Sequence, residues 1–453
     1  MFSINTATAK RSQPGRHIAL ALALATGAVV ATGIVADPAQ AQRKKKKKGK
    51  KQYSETFIAA YNPINEVLSA EGGDANTVKA QIPGLIAASV SADERFVAGN
   101  TAYSVGGKTQ DQQMQFDGMK LMLASEKVDL EKLGQYNFIA FQLARALEQH
   151  NESRSYLQQA INYNFTSGNI TPAMMRVEMS ETYFREENFT AGLASLKAAI
   201  EEREASGQKV DESWYRRGLS VSFNNNIKPD VYNYLQGWIA AYPSTGNWRD
   251  AVNITRQTNE YGAQETLDIM RLGFRLDTLQ DKIEYIDYIE AADPRRLPKE
   301  VKDVIDNGYA TGRVTRNDIY VAESLQTASG RIAADRAELP AIEREANAGN
   351  ADLRTLLAAG DVFMSYGQAN KAEAFYSKAL AKPGVNADLV NTRIGITQVD
   401  QGKLAEARTT FSKVQGARAP IAQLWTAYVD TKSAPAAAPS APAIMTKPSA
   451  PAS

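Results

Sequence analysis

The chain has no cysteine and only two histidines, His17 and His150, in 453 residues. Disulfides, thiolate nucleophiles and cysteine-held metals are therefore excluded. A hydrolase triad or a zinc site built on several histidines has nothing to be made from. No catalytic residue, metal site or cofactor is expected. His150 sits beside Asn151 and reads as a surface residue, not a base. Period-two alternation of any useful length is also missing, so little or no sheet is expected. Glycines at Gly72-Gly73 and from Gly99 to Gly107 follow no strand, which removes a phosphate-cradling loop. Long apolar runs are absent too, with one exception near the amino terminus.

That exception is Ile18 to Ala36, preceded by Lys10, Arg11 and Arg16 and followed by Ala39-Gln40-Ala41. A charged region, an apolar stretch and small residues in an A-x-A arrangement form the layout of a secretory signal peptide. Residues 1–41 are assigned to it, with cleavage near Ala41 and a periplasmic or secreted mature protein. An uncleaved inner-membrane anchor is the alternative, because eight positive charges follow the cleavage site and oppose translocation. These are Arg43, Lys44, Lys45, Lys46, Lys47, Lys48, Lys50 and Lys51, in a basic arm over 42–53. The chain's net charge is +2, and everything after Lys51 sums to −8. A basic arm on an acidic body suits an anionic envelope surface such as lipid head groups. No aromatic residue interleaves the lysines, so no nucleic acid partner is expected.

What is present from there on is helix. Charged residues make up 23% and the apolar set 43%, an ordinary soluble composition. Amphipathic segments follow one another from Ser54 to Val429. At 353–415 two of them repeat in phase. Gly360 and Gly395, Gly367 and Gly402, Ala372 and Ala407, and Tyr376 and Phe411 are each 35 residues apart. Small residues let the two helices of a hairpin approach, an aromatic ring fills the gap, and Gly367 or Gly402 ends the first helix in a left-handed conformation. This pattern resembles the tetratricopeptide repeat, a helix–turn–helix unit of about 34 residues. Looser echoes run from about 93 to 430, including Trp214 ahead of Gly218 and the Tyr242-Pro243 end of its unit.

The resemblance implies an all-α fold, a right-handed α-solenoid of stacked antiparallel helix pairs, each hairpin covering the apolar flank of the last. The expected plan is an array over 54–276, a diverged helical linker region over 277–350, and a matched pair with a closing helix over 351–430. A disordered Ala/Pro tail follows over 431–453. Pro63 is expected to kink or restart the first helix, and Gly330 and Pro340 to interrupt the segment from Asn317 to Asn347. Methionines at 114, 119 and 122 read as core filling. Leader, array and tail together resemble the exported tetratricopeptide repeat proteins of alphaproteobacteria, a group whose role is mostly unassigned.

In that family, ligands lie along the face formed by the first helix of each hairpin. Carried over by offset from the small residue, the face holds Gln142, Glu181, Arg185, Asp361 and Ser365, with Arg145 and Tyr215 beside them on the same face. Such a mixed polar face suits a protein or peptide partner held by side-chain contacts. The implied function is a non-catalytic scaffold. Two other readings are a carboxylate-dependent, glycan-acting enzyme of the cell envelope and a membrane-anchored cytoplasmic adaptor.

Overall fold

The computed structural model describes residues 53–433. The stretch assigned to a leader, the lysine arm as far as Gln52 and the tail from Ala434 lie outside the described residues, while residues 431–433, assigned to the tail, are the last turn of a helix. Within them there are twenty α-helices, a few single 3-10 turns and one isolated bridge between Ser167 and Ile170, with no strand.

The helices pair in chain order. An opening pair, α1 (Glu55–Ser69) and α2 (Ile82–Ala88), packs on α3 (Ala92–Lys108). Hairpins follow: α3 with α4 (Gln112–Ala124), α5 (Leu130–Ala146) with α6 (His150–Asn162), and α7 (Pro172–Arg185) with α8 (Phe189–Ala205). Then come α9 (Glu212–Asn224) with α10 (Lys228–Ala241), α11 (Thr245–Thr258) with α12 (Ala263–Arg275), and α13 (Lys282–Ala292) with α14 (Pro298–Ala310). One long helix, α15 (Ile319–Asn347), leads to the final pairs, α16 (Leu353–Ser365) with α17 (Ala369–Leu380) and α18 (Ala387–Asp400) with α19 (Leu404–Phe411). The chain ends on α20 (Ala419–Ser433). This is an all-α solenoid of stacked antiparallel pairs, tetratricopeptide-like in its build.

Two prolines and a glycine behave differently from expectation. Pro63 lies inside an unbroken α1, and Gly330 and Pro340 lie inside an unbroken α15. Pro340 is exposed, as are Gly330 and Arg336, so the carbonyl that the missing N–H leaves free is open to solvent. Only Val321, Ser324, Ala328 and Ala346 of α15 are buried. Its first turns pack on α14, and Lys371 on α17 pairs with Glu343 near its end at 2.7 Å.

Seven of the turns between successive helices close in one geometry. At Gly367 (φ 72°) the residue's N–H donates to the Met364 carbonyl and the next N–H to Phe363. The same pair of bonds closes Gly402 (φ 74°), and also Gln110, Glu148, Glu187, Asn226 and Asp277, all at φ between 53° and 59°. Five turns thus hold a left-handed backbone without glycine, at a cost on the order of 1 kcal/mol each. Glu187 is exposed and its side chain makes no hydrogen bond or ion pair among the described residues. Glu187→Gly is accordingly expected to raise stability by about 1 kcal/mol, read as a higher urea midpoint with an unchanged slope. A lower midpoint would show that the turn carries no such strain.

Aromatic rings lie flat on the hairpin glycines. A Cβ on Gly218, Gly360 or Gly395 would meet the ring of Tyr234, Tyr376 or Phe411 at 2.2, 2.4 and 2.3 Å. The amino-terminal hairpin is tighter still, with Gly99 and Gly118 set backbone against backbone.

The far end of the array does not stop at its last pair. α20 lies against α10, α11 and α12 as well as α18 and α19, and the Trp425 indole N–H donates to the Asp268 carbonyl at 3.0 Å. The carboxy-terminal end is folded onto the middle of the chain. An unbroken apolar core runs from Ala173 to Val429.

Candidate functional site

First helices of successive hairpins are joined by charged rungs. Arg145 on α5 pairs with Glu178 on α7 at 2.9 Å, and Glu181 on α7 receives the Arg217 guanidinium of α9 at 2.8 and 3.0 Å. Arg249 on α11 reaches Glu284 and Asp281, at the start of α13, at 2.9 and 2.7 Å. Two side chains expected to meet a partner, Arg145 and Glu181, are therefore already paired within the chain. Tyr215 is 3% exposed and donates its hydroxyl to Glu204 at 2.6 Å. Burial, then Glu204, pushes its phenol pKa up. Gln142 is half-buried and Arg185 exposed.

Asp361 and Ser365 sit on α16, in a second set of contacts. Asp361 accepts the Tyr376 hydroxyl at 2.5 Å, Arg393 at 2.6 Å and Arg296 at 3.4 Å. Ser365 is half-buried and its hydroxyl turns back to the Val362 carbonyl at 2.8 Å. Next to Asp361 lies the hub of the closed end. Asp268 on α12 is fully buried and takes Arg271 at 3.0 Å, Arg393 at 3.3 Å and Arg418 at 2.7 Å. Arg271 also forks onto Glu300 of α14 at 2.8 Å through both nitrogens, and Tyr288 donates to Glu300 at 2.9 Å. Desolvation pushes the Asp268 carboxyl up, but Arg393, Arg271 and Arg418 together outweigh it and hold it below the usual carboxylate range.

Sequence reasoning passed over this hub for a physical reason. Asp268 and Arg271, three residues apart, lie with Gln264 and Arg275 on the polar side of an amphipathic α12, a side that ordinarily meets water, yet every residue from Leu267 to Gly273 is buried. Arg393 likewise lies in a run, Val390–Val399, that is buried throughout.

One face of α16 stays open. Leu353, Arg354, Leu357, Ala358, Asp361 and Val362 recur at helical spacing and form a groove with Arg296 and Leu297 from the 293–298 connection. Its volume is about 600 Å³, within the range of small-ligand and peptide sites. Asp361 is thus the offset-assigned residue that borders this groove, though its own oxygens are occupied.

No family model matches the chain, and no curated protein does. Among solved structures, the chain is similar to the crystal structure of the yeast Tom70 at 9% identity. The match covers 83% of this chain and 96% of that one, with a TM-score of 0.17. A score that low carries no structural weight, and the solenoid assignment rests on the helix pairing itself.

Proposed function

We propose that this chain is an exported, non-catalytic scaffold that holds protein or envelope-polymer partners. The observation that carries the reading is the stack itself: helix pairs packed on an apolar core, their first helices linked by ion pairs, with a groove left open beside α16. The apolar run Ile18 to Ala36 and Ala39-Gln40-Ala41 support export. Cross-linking in cells, followed by mass spectrometry, tests the scaffold: specific protein or polymer adducts are expected, and their absence overturns it. A mature mass beginning near Gln42 is expected for export; an uncleaved amino terminus would refute it.

The lysine arm would steer the body to an anionic surface. Each basic residue near such a surface contributes roughly 1 kcal/mol, and the contribution falls with salt. Full chain is expected to pellet with phosphatidylglycerol vesicles. Changing Lys44, Lys45, Lys46, Lys47 and Lys48 to glutamine should weaken that by at least about tenfold, a loss of about 1.4 kcal/mol or more. Equal pelleting of the two proteins would remove the arm from the account.

A further inference from the structure

Polar capacity in the α16 groove is unequally shared between its acids and its bases. Asp361 has both oxygens occupied: Oδ1 by Tyr376 and Arg393, Oδ2 by Arg296. Asp352 is the helix cap of α16 and accepts the Thr355 backbone N–H at 2.8 Å. That bond holds its carboxyl below the usual range. The two arginines differ. Arg296 gives Nε, Nη1 and Nη2 once each, to Ala292, Asp361 and Ala291 at 3.3, 3.4 and 3.1 Å. The first two are long, and two of its five N–H donors are left over. Arg354 is exposed and its side chain makes no ion pair or hydrogen bond among the described residues. Between the charges the floor is aliphatic: Leu297, Leu353, Leu357 and Val362.

We infer that this groove holds a peptide segment of a protein partner in which a carboxylate stands beside an aliphatic side chain. The aliphatic group fills the floor against Leu297, Leu353 and Leu357. The carboxylate pairs with Arg354 and the free edge of Arg296, where a planar guanidinium matches it with two parallel bonds. A basic segment is disfavoured there, since Asp361 has both oxygens occupied and both arginines would face it. The inference rests on the scaffold reading and names the partner chemistry for it.

A random peptide library displayed on phage and selected against the full chain tests this directly. Fluorescence anisotropy then follows the best selected peptide, carrying a fluorescein label. Enriched peptides are expected to place Asp or Glu beside Leu, Ile or Val. Ala358→Trp, which fills the groove, and Arg354→Glu should each weaken the labelled peptide by about tenfold or more. Arg354→Lys should weaken it less, and added salt should weaken it further. Both positions are exposed on α16, and an unchanged melting curve confirms that each variant keeps its fold. Selected peptides without an acid, or no enrichment at all, overturn the inference. So does a peptide indifferent to both variants, which would bind elsewhere on the chain. In those cases adducts recovered by cross-linking in cells would still uphold the scaffold, so the two readings fail separately.

Discussion

Asp268→Asn is expected to lower the unfolding free energy by about 3–5 kcal/mol, the largest single effect in the chain. Asparagine keeps the shape and one acceptor but removes the carboxylate on which Arg271, Arg393 and Arg418 converge. Glu300, Asp361 and Glu265 still face those arginines individually, so the hub is weakened and not emptied of negative charge. The cost lies in buried cations left short of a partner; a fully apolar replacement of the cluster would cost far less. Urea unfolding of the two proteins measures it, and a loss under about 1 kcal/mol would show that Asp268 is dispensable. Its pH dependence follows in sign. The carboxyls of Asp268 and Glu300 are held below their ordinary range, so the stability they contribute is complete above the unfolded carboxylate pKa of about 4. It is lost as pH falls through the lower folded values. Thermal midpoints should stay level from neutrality to about pH 5 and then fall, and the Asn variant should lose part of that acid slope.

Gly118→Ala should cost about 1–3 kcal/mol, although alanine is the better helix former by nearly 1 kcal/mol. The added methyl would sit 2.5 Å from the Gly99 carbonyl oxygen and 2.6 Å from the Tyr103 nitrogen, both backbone atoms of α3. Side chains can swing aside; two crossing helices can only separate, which uncovers the Phe116 and Met122 packing beneath. Gly330→Ala is the internal control. It is also helical, nothing lies within 4 Å of its added carbon, and a gain of up to about 1 kcal/mol is expected. Differential scanning calorimetry of both variants separates crowding from propensity: equal shifts would mean that α3 and α4 are not in tight contact.

Much of the fold could be read before the structure because helices announce themselves by period and the last two hairpins end on glycine. The turns at Glu148, Glu187, Asn226 and Asp277 have the same backbone but no glycine to mark it, so the repeat phase fades there. Prolines misled for a related reason. Pro63 and Pro340 read as breaks, yet a helix with tertiary support at both ends carries one lost N–H bond. The candidate site was legible only in part. The repeat offset located Asp361, which does border the groove. Arg296 comes from a connection between Pro294 and Pro298 that no repeat rule addresses, and the Asp268 hub joins residues up to 150 positions apart. Periodicity says which side of a helix is covered; it does not say which distant helix covers it.

The position of α20 bears on synthesis as well as on stability. At roughly 5–20 residues per second, Asp268 leaves the ribosome about 6–30 s before Arg393 and Arg418 exist. During that interval Asp268 has only Arg271 of its three arginines, on a helix whose partner surface, Trp425 included, does not yet exist. A chaperone that shields nascent chains would find its client there, and a message truncated ahead of α20 would yield a product that never leaves such care.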